Sequence, residues 1–423
     1  MMDFNYFLFS VLIILCLLII LIEFRKRDYL FRYPFLASLV FLGWISLQIY
    51  TMLINNMYSD IIWKAILFSI LCLGSIYIGF YVKIKKTNIF NWSLNLNRLI
   101  FLNFLIFLVG MYFYHKVSIL AEEAILEFGG QWEGIITVYV FFAKLLSLSL
   151  AISLIVDIYK KSYLNRFIIL SSSYFFLERI ILAGRREDTI EFFIMFSLYI
   201  WWKKGKILSR WIFIGLFLVG MVFINLIGIY RSLQVIDSSK LSSFTQKLQM
   251  ASQVDWMESF KDFLTNPTTE VLNATVIIDS TEKYFFFDGG LSIWNAFVHS
   301  YIPATFLGRE FKESLKLEFP DTAYEVYGHI PHTGTTLTGL SDSFQSFWWF
   351  GFIKFFLISY LMKIWYFSSE DSIIGKVFIT QLYSVSLLAI THDTHHFFLE
   401  FIKLFVFLMP IFYLSKTKKG NLC

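Results

Sequence analysis

Charge, proline and cysteine are all scarce in this chain. Only 16% of its 423 residues are Asp, Glu, Lys or Arg, against about 25% in an average soluble domain. Hydrophobic types reach 57% and aromatics 20%. A chain this long and this apolar has too little polar surface to face water, which excludes a soluble enzyme and a disordered chain and predicts a membrane protein. The three cysteines, Cys16, Cys72 and Cys423, include no CxxC spacing, so no disulfide scaffold, zinc site or redox pair is expected. No P-loop, GxGxxG or GxSxG occurs, and a net charge of +5 is too small to suggest a nucleic-acid partner. The apolar N-terminus lacks a basic n-region and an A-x-A site, so it reads as a retained span rather than a cleaved signal.

What the chain has in abundance is runs long enough to cross a bilayer, which takes about 20 apolar residues. Eleven are predicted, over 4–22, 34–54, 61–82, 99–115, 135–158, 167–183, 189–202, 211–229, 344–366, 376–391 and 397–414. Lys and Arg mark cytoplasmic loops. Here they cluster after alternate spans: Arg25, Lys26, Arg27 and Arg32; Lys83, Lys85 and Lys86; Lys160, Lys161 and Arg166; Lys203, Lys204, Lys206 and Arg210; and the tail Lys416, Lys418 and Lys419. A serpentine chain requires that alternation, and it puts the N-terminus outside. The fold class expected is an all-α polytopic bundle.

Residues 230–343 break the pattern. They hold no convincing span, carry 8 Lys and Arg against 14 Asp and Glu, and contain Pro267, Pro303, Pro320 and Pro331. A structureless loop of that length is improbable, so a partly helical external cap is expected. It divides the chain into a membrane bundle over 1–229, the cap over 230–343 and a second bundle over 344–423. A shorter external stretch, 116–134, has helical periodicity and predicts an interfacial amphipathic helix. Its Glu122-Glu123 pair reads as that helix's solvated face.

Positive charge on the outer side is the first chemical anomaly. Gly184-Arg185-Arg186-Glu187-Asp188 faces outside, after Glu178 and Arg179 in the preceding span. Charges inside spans line cavities or pair with each other, and a local ion network is the plain alternative here. Were the helix unbroken at Gly184, Glu178 with Arg185 and Arg179 with Arg186 would share a face. Arg231 and Arg309 also face outside. Arginine forks suit phosphate, so these stations predict an anionic ligand at the outer surface. The seven histidines lie in or near the outer half. His392 and His396 are four apart, which is metal-ligand spacing on a helix, but the Glu of H-E-x-x-H is missing. No metal is expected, and polar lining of a cavity, shared with His299, is the preferred reading.

Two stretches carry a family likeness. One is the Gly184-Arg185-Arg186 turn. The other runs from Ile302-Pro303 through Gly308-Arg309 and His332-Thr333-Gly334-Thr335-Thr336-Leu337-Thr338-Gly339-Leu340 into Phe347-Trp348-Trp349-Phe350-Gly351. In these the chain resembles the Wzy-type oligosaccharide repeat-unit polymerases of O-antigen and capsule assembly. Asp342 stands where that family often has Glu. The resemblance implies transfer of a growing glycan from undecaprenyl pyrophosphate to the non-reducing end of a new lipid-linked repeat unit, at the outer face of the bacterial cytoplasmic membrane. It implies no cofactor, and a chain-length regulator is a conceivable partner. Arg185, Arg186, Arg231 and Arg309 are then the pyrophosphate candidates, and His332 or Asp342 the group that orients or deprotonates the acceptor hydroxyl. The related O-antigen ligases and lipid-linked oligosaccharide flippases are the alternatives.

Overall fold

The computed structural model describes residues 2–83, 90–127, 135–183, 186–205, 209, 210, 212, 215, 269–331 and 336–417, with the backbone alone for 121–127, 181–183, 186 and 269. Among the described residues there is no β-strand, only an isolated bridge between Leu94 and Lys416. The first seven helices are α1 (Met2–Phe24), α2 (Tyr33–Ile54), α3 (Ile62–Tyr81), α4 (Leu96–Glu127), α5 (Ile135–Tyr159), α6 (Tyr163–Ala183) and α7 (Arg186–Lys204). After residues 216–268, α8 (Thr269–Tyr284) opens a run of short helices: α9 (Ser292–Tyr301), α10 (Ala304–Leu307), α11 (Arg309–Ser314), α12 (Thr322–Tyr327) and α13 (Thr338–Phe347). The chain closes with α14 (Phe352–Asp371), α15 (Ile373–Thr391) and α16 (Thr394–Ser415).

Among the described residues, eight stretches are long and apolar enough to cross a membrane: α1 to α5, α13 with α14, α15 and α16. The chain is therefore an all-α polytopic membrane protein. The helices α6 and α7 also match predicted spans, 21 and 19 residues long, but both carry several charges. Of the predicted span 211–229 only Ile212 and Gly215 are described. The chain's turns define two ends, a basic end holding Arg25–Arg32 and Lys160–Arg166, and a loop-rich end where residues 284–331 gather.

Helix boundaries follow local chemistry. The Asp321, Ser372 and Asp393 side chains accept the backbone N–H of Tyr324, Gly375 and His396, capping α12, α15 and α16. Pro34 sits in the first turn of α2, where its missing N–H costs nothing. Packing in lipid relies on close backbone approach and polar contacts between helices. Asn103 on α4 donates to Ser149 O and Ser153 Oγ on α5, at 3.1 and 2.7 Å. Ser359 and Ser75 bond carbonyls across the α3–α14 seam. One apolar core runs from α1 to α16, and its hub is α15, buried at every residue from Ile374 to Ile390.

Two expectations need correction. The stretch 116–127 is not a separate interfacial helix: it continues α4 without a break, because nothing in VSILAEEAILE interrupts helical propensity. The predicted cap also does not lie wholly on the surface. Val271 and Asn273 to Ser280 of α8 are all buried, and Gln48 of α2 bonds both the Val271 N–H and the Glu270 carboxylate, at 2.9 and 3.2 Å. Gln48 is six residues inside the end of α2, about 9 Å by helical rise, so α8 is planted in the bundle. At its other end Asp279 meets Lys64 of α3 at 2.6 Å and Lys283 at 2.9 Å, and accepts the Tyr327 hydroxyl.

Candidate functional site

The family-like segment builds α13. Thr338 and Trp348 bracket it, each with positive φ, +59° and +55°, a region that non-glycine residues rarely occupy and that often marks functional segments. Its glycines have steric reasons. A Cβ on Gly339 would stand 1.9 Å from Ala389 O on α15, and one on Gly351 would stand 2.0 Å from Ser343 O. This contact presses α13 against α15 and α14 and delivers Asp342 to the start of α16.

Asp342 is buried there and fully engaged. Its Oδ1 lies 3.0 Å from Lys354 Nζ and 2.9 Å from His395 Nε2. Its Oδ2 accepts the Thr394 N–H at 2.8 Å, and the Thr394 hydroxyl as well. The carboxylate thus also caps α16, where the helix dipole favours negative charge. Lys354 Nζ donates to Ser346 Oγ at 2.6 Å, and His395 Nε2 is 3.2 Å from Ser292 Oγ on α9. Nε2 also lies 3.3 Å from Lys354 Nζ, so one ring nitrogen of His395 is shared among a carboxylate, an ammonium and a hydroxyl.

One turn along α16 a second polar cluster lines a cleft between α5, α6, α7, α15 and α16. Glu400 holds Lys403 at 2.7 Å and Lys144 at 3.6 Å. Glu187 lies 3.9 Å from Lys144 and 4.0 Å from His396 Nε2, and Arg179 meets Asp188 at 2.9 Å. Glu191 accepts the Ser147 hydroxyl, and Gln381 Nε2 donates to the same hydroxyl at 3.2 Å. Glu191 has no cation within 4.0 Å among the described residues. Four carboxylates thus face three cations and one histidine. Lys144, Glu191, Gln381 and Lys403 stand five to ten residues inside their helices, about 8–15 Å from the loop-rich end. The cavity of about 40 Å³ has room for a few waters and not for a sugar ring.

Other residues singled out from sequence fall as follows. Glu178 accepts the Tyr114 hydroxyl at 3.3 Å. Phe176 of α6 and Phe192 of α7 lie with ring centroids 5.7 Å apart, so the two helices fold back on each other and Arg179 and Arg186 do not share a face of one helix. Arg186 is described by its backbone alone, and Arg185, Arg231 and His332 lie outside the described residues. Arg309 is exposed at the start of α11 and His299 is exposed on α9. Partial desolvation of the ring, with Lys312 and Lys316 beside it, lowers the His299 imidazole from its ordinary value. His392 and His396 do not share a helical face, contrary to their spacing: α15 ends at Thr391, and Asp393, extended at φ −146°, starts a new helix. His392 is exposed, with Nδ1 3.0 Å from Thr391 Oγ1. Among the described residues no group of three His, Cys, Asp or Glu is arranged to hold a metal. Sequence reading passed over Lys144, Glu191, Lys354, Glu400 and Lys403. Their signal was available, since each is an ionisable residue inside an apolar run.

Compared with known protein families, with characterised proteins and with solved structures, the chain matches none.

Proposed function

We propose that this protein is an oligosaccharide repeat-unit polymerase of a bacterial cytoplasmic membrane, with its active face at the loop-rich end, outside. One observation carries the reading. The segment with the family likeness and the Thr391-His392-Asp393-Thr394-His395-His396 turn are about 50 residues apart, yet they meet through Asp342, His395 and Lys354. Buried ionisable groups brought together in a membrane protein are costly and mark functional sites.

In this reading the donor is a glycan on undecaprenyl pyrophosphate and the acceptor is a lipid-linked repeat unit. The acceptor hydroxyl oxygen attacks the anomeric carbon, the bond from that carbon to the pyrophosphate oxygen breaks, and the hydroxyl proton passes to His395. An imidazole anchored by a buried carboxylate suits that task. Asp342 is spent on Lys354, His395 and Thr394, so it acts as a positioning residue rather than as the base. Charge developing on the departing pyrophosphate calls for fixed cations, a role assigned to Arg185, Arg186, Arg231 and Arg309. The reaction calls on no metal or cofactor.

A second reading, a flippase for lipid-linked oligosaccharides, draws on the cleft itself, because carboxylates and cations facing a wet cavity inside a bundle also suit transport. A gene deletion complemented by wild type, Arg185→Ala and His395→Gln separates the two. Polymerase predicts surface glycan collapsing from a ladder to one repeat, rescued by wild type alone. Normal ladders in both variants overturn the site assignment. Single repeats trapped on the cytoplasmic face establish the flippase, and polymer stranded on the carrier lipid points to a ligase.

A further inference from the structure

We infer that residues 302–317 are seated in the lipid leaflet on the loop-rich side of the membrane, rather than held in the water above it. The argument begins with the depth of α9. Its first residue, Ser292, touches His395 in the opening turn of α16. Its last, Tyr301, donates its hydroxyl to Leu399 O at 2.6 Å and packs its ring edge-on to Phe141, centroids 6.0 Å apart. Leu399 is five residues inside α16 and Phe141 six inside α5, about 8–9 Å below the ends of those helices. Thus α9 runs down the side of the bundle, and the chain leaves it at leaflet depth.

What leaves is apolar and uncovered. Phe306 is 70% exposed, Leu307 51% and Phe311 50%. They stand on α10 and α11, with Gly308 between them at φ +90°, a conformation that glycine adopts without strain. The segment is not loose. Trp294 Nε1 donates to Leu315 O at 2.7 Å, Asn295 pairs with Leu317 through both backbone groups, and Lys312 Nζ reaches His299 O at 2.9 Å. A rigid, amphipathic element with uncovered aromatics at that depth matches the interfacial class. Within the segment Arg309, Lys312 and Lys316 against Glu310 and Glu313 leave a net charge of only +1, so apolar insertion, more than attraction to anionic lipid, supplies the binding. Other apolar side chains are exposed at the same end of the bundle. Phe285 and Phe350 are 72% and 64% exposed beside α13 and α14, and Ile353 and Leu357 are exposed along α14. Aromatic belts sit at the headgroup level.

The test uses the full chain in phosphatidylcholine liposomes. In a Cys16→Ala, Cys72→Ala, Cys423→Ser background, nitroxide labels go on Phe306→Cys, Phe311→Cys, Leu357→Cys as the lipid-facing reference, and Tyr324→Cys as the water-facing one. Relaxation by oxygen and by a water-soluble nickel chelate is compared at each. Labels at 306 and 311 are expected to favour oxygen, as at 357. Nickel-dominated relaxation there, as at 324, overturns the proposal, and so does exclusion of both reagents, which marks a protein neighbour. Hydroxyl-radical footprinting of the wild type in nanodiscs needs no substitution. Protection of Phe306 and Phe311 while Tyr324 is oxidised supports lipid seating, and equal oxidation overturns it.

Discussion

The two ends of the bundle hold buried charge in opposite ways. At the basic end Glu23, wholly buried, takes Arg32 at 2.5 Å and the Tyr81 hydroxyl, while Asp28 takes Arg32 at 3.1 Å and the Tyr366 hydroxyl. Three of these groups lie within ten residues of one another, and Lys26 adds a cation 3.9 Å from Glu23. At the loop-rich end, groups from five helices surround a cleft in which, among the described residues, four carboxylates face three cations and one histidine. The charge-matched cluster tied by tyrosines works as a clamp between α1, α3 and α14. Buried charges around a cleft stabilise little, because desolvation offsets attraction, and such groups mark functional sites.

The largest effect that could break this contrast is at Asp342. Asp342→Ala leaves Lys354 buried without its carboxylate and uncaps α16, and removing one partner of a buried pair costs about 3–5 kcal/mol. Purified protein is expected to show a sharply lower unfolding temperature, and a midpoint equal to wild type removes the pair from the fold. Glu400→Gln comes next, since it deprives Lys403 and Lys144 together, at a cost of about 2–4 kcal/mol after relief by the open cleft. Arg32→Ala tests the clamp. Loss of its charge-assisted bonds is expected to cost about 1.5–3 kcal/mol with the glycan ladder unchanged at permissive temperature, and a single-repeat phenotype there contradicts a purely structural role.

Asp279 sharpens the comparison through pH. Burial alone raises its carboxyl, but bonds from Lys64, Tyr327 and Lys283 outweigh that and hold it below the ordinary carboxylate value. A depressed folded value means stability that is whole above the unfolded value, about pH 4, and is lost as pH falls through the lower folded value. Asp279→Asn is expected to flatten that acid-side slope of unfolding temperature against pH, and an unchanged slope assigns it to other groups. The smallest effect is at Glu191. With no cation to strand, Glu191→Gln is expected to shift stability by about 0.5 kcal/mol or less. A loss as large as that of Glu400→Gln means that the carboxylate is ion-paired after all.

Much of the architecture was legible because lipid imposes a one-dimensional rule: apolar length decides spans, and basic loops alternate. Ten of the eleven predicted spans coincide with helices, eight of them long and apolar enough to cross a membrane, and of the eleventh, 211–229, only Ile212 and Gly215 are described. The rule fails where burial is by protein rather than lipid. Helix α8, with Asn273, Thr275, Asp279, Ser280 and Thr281, is too polar to register as a span, yet it is buried because Lys64 of α3, Thr322 and Tyr327 of α12, His329 and the helix's own carbonyls satisfy those groups. The candidate site was legible by parts. Asp342 was found through its motif and the Arg179–Asp188 network through its charge run. The engaged histidine, His395, was passed over for His392 and His396, since spacing alone does not reveal that a helix ends between them.

The sequence by itself determined that the chain is helical, crosses a membrane many times and gathers acidic and aromatic residues in one long segment. Composition and periodicity act locally and add along the chain. Only the tertiary structure decided that α15, with Lys376, Gln381 and Ser384, sits at the centre, 94% of its apolar window buried, while the more apolar α1 faces outward with 28% buried. The physical reason is the solvent. Lipid gives apolar side chains no incentive to turn inward, so polar contacts and close backbone packing choose the centre, and those depend on partners far apart in sequence.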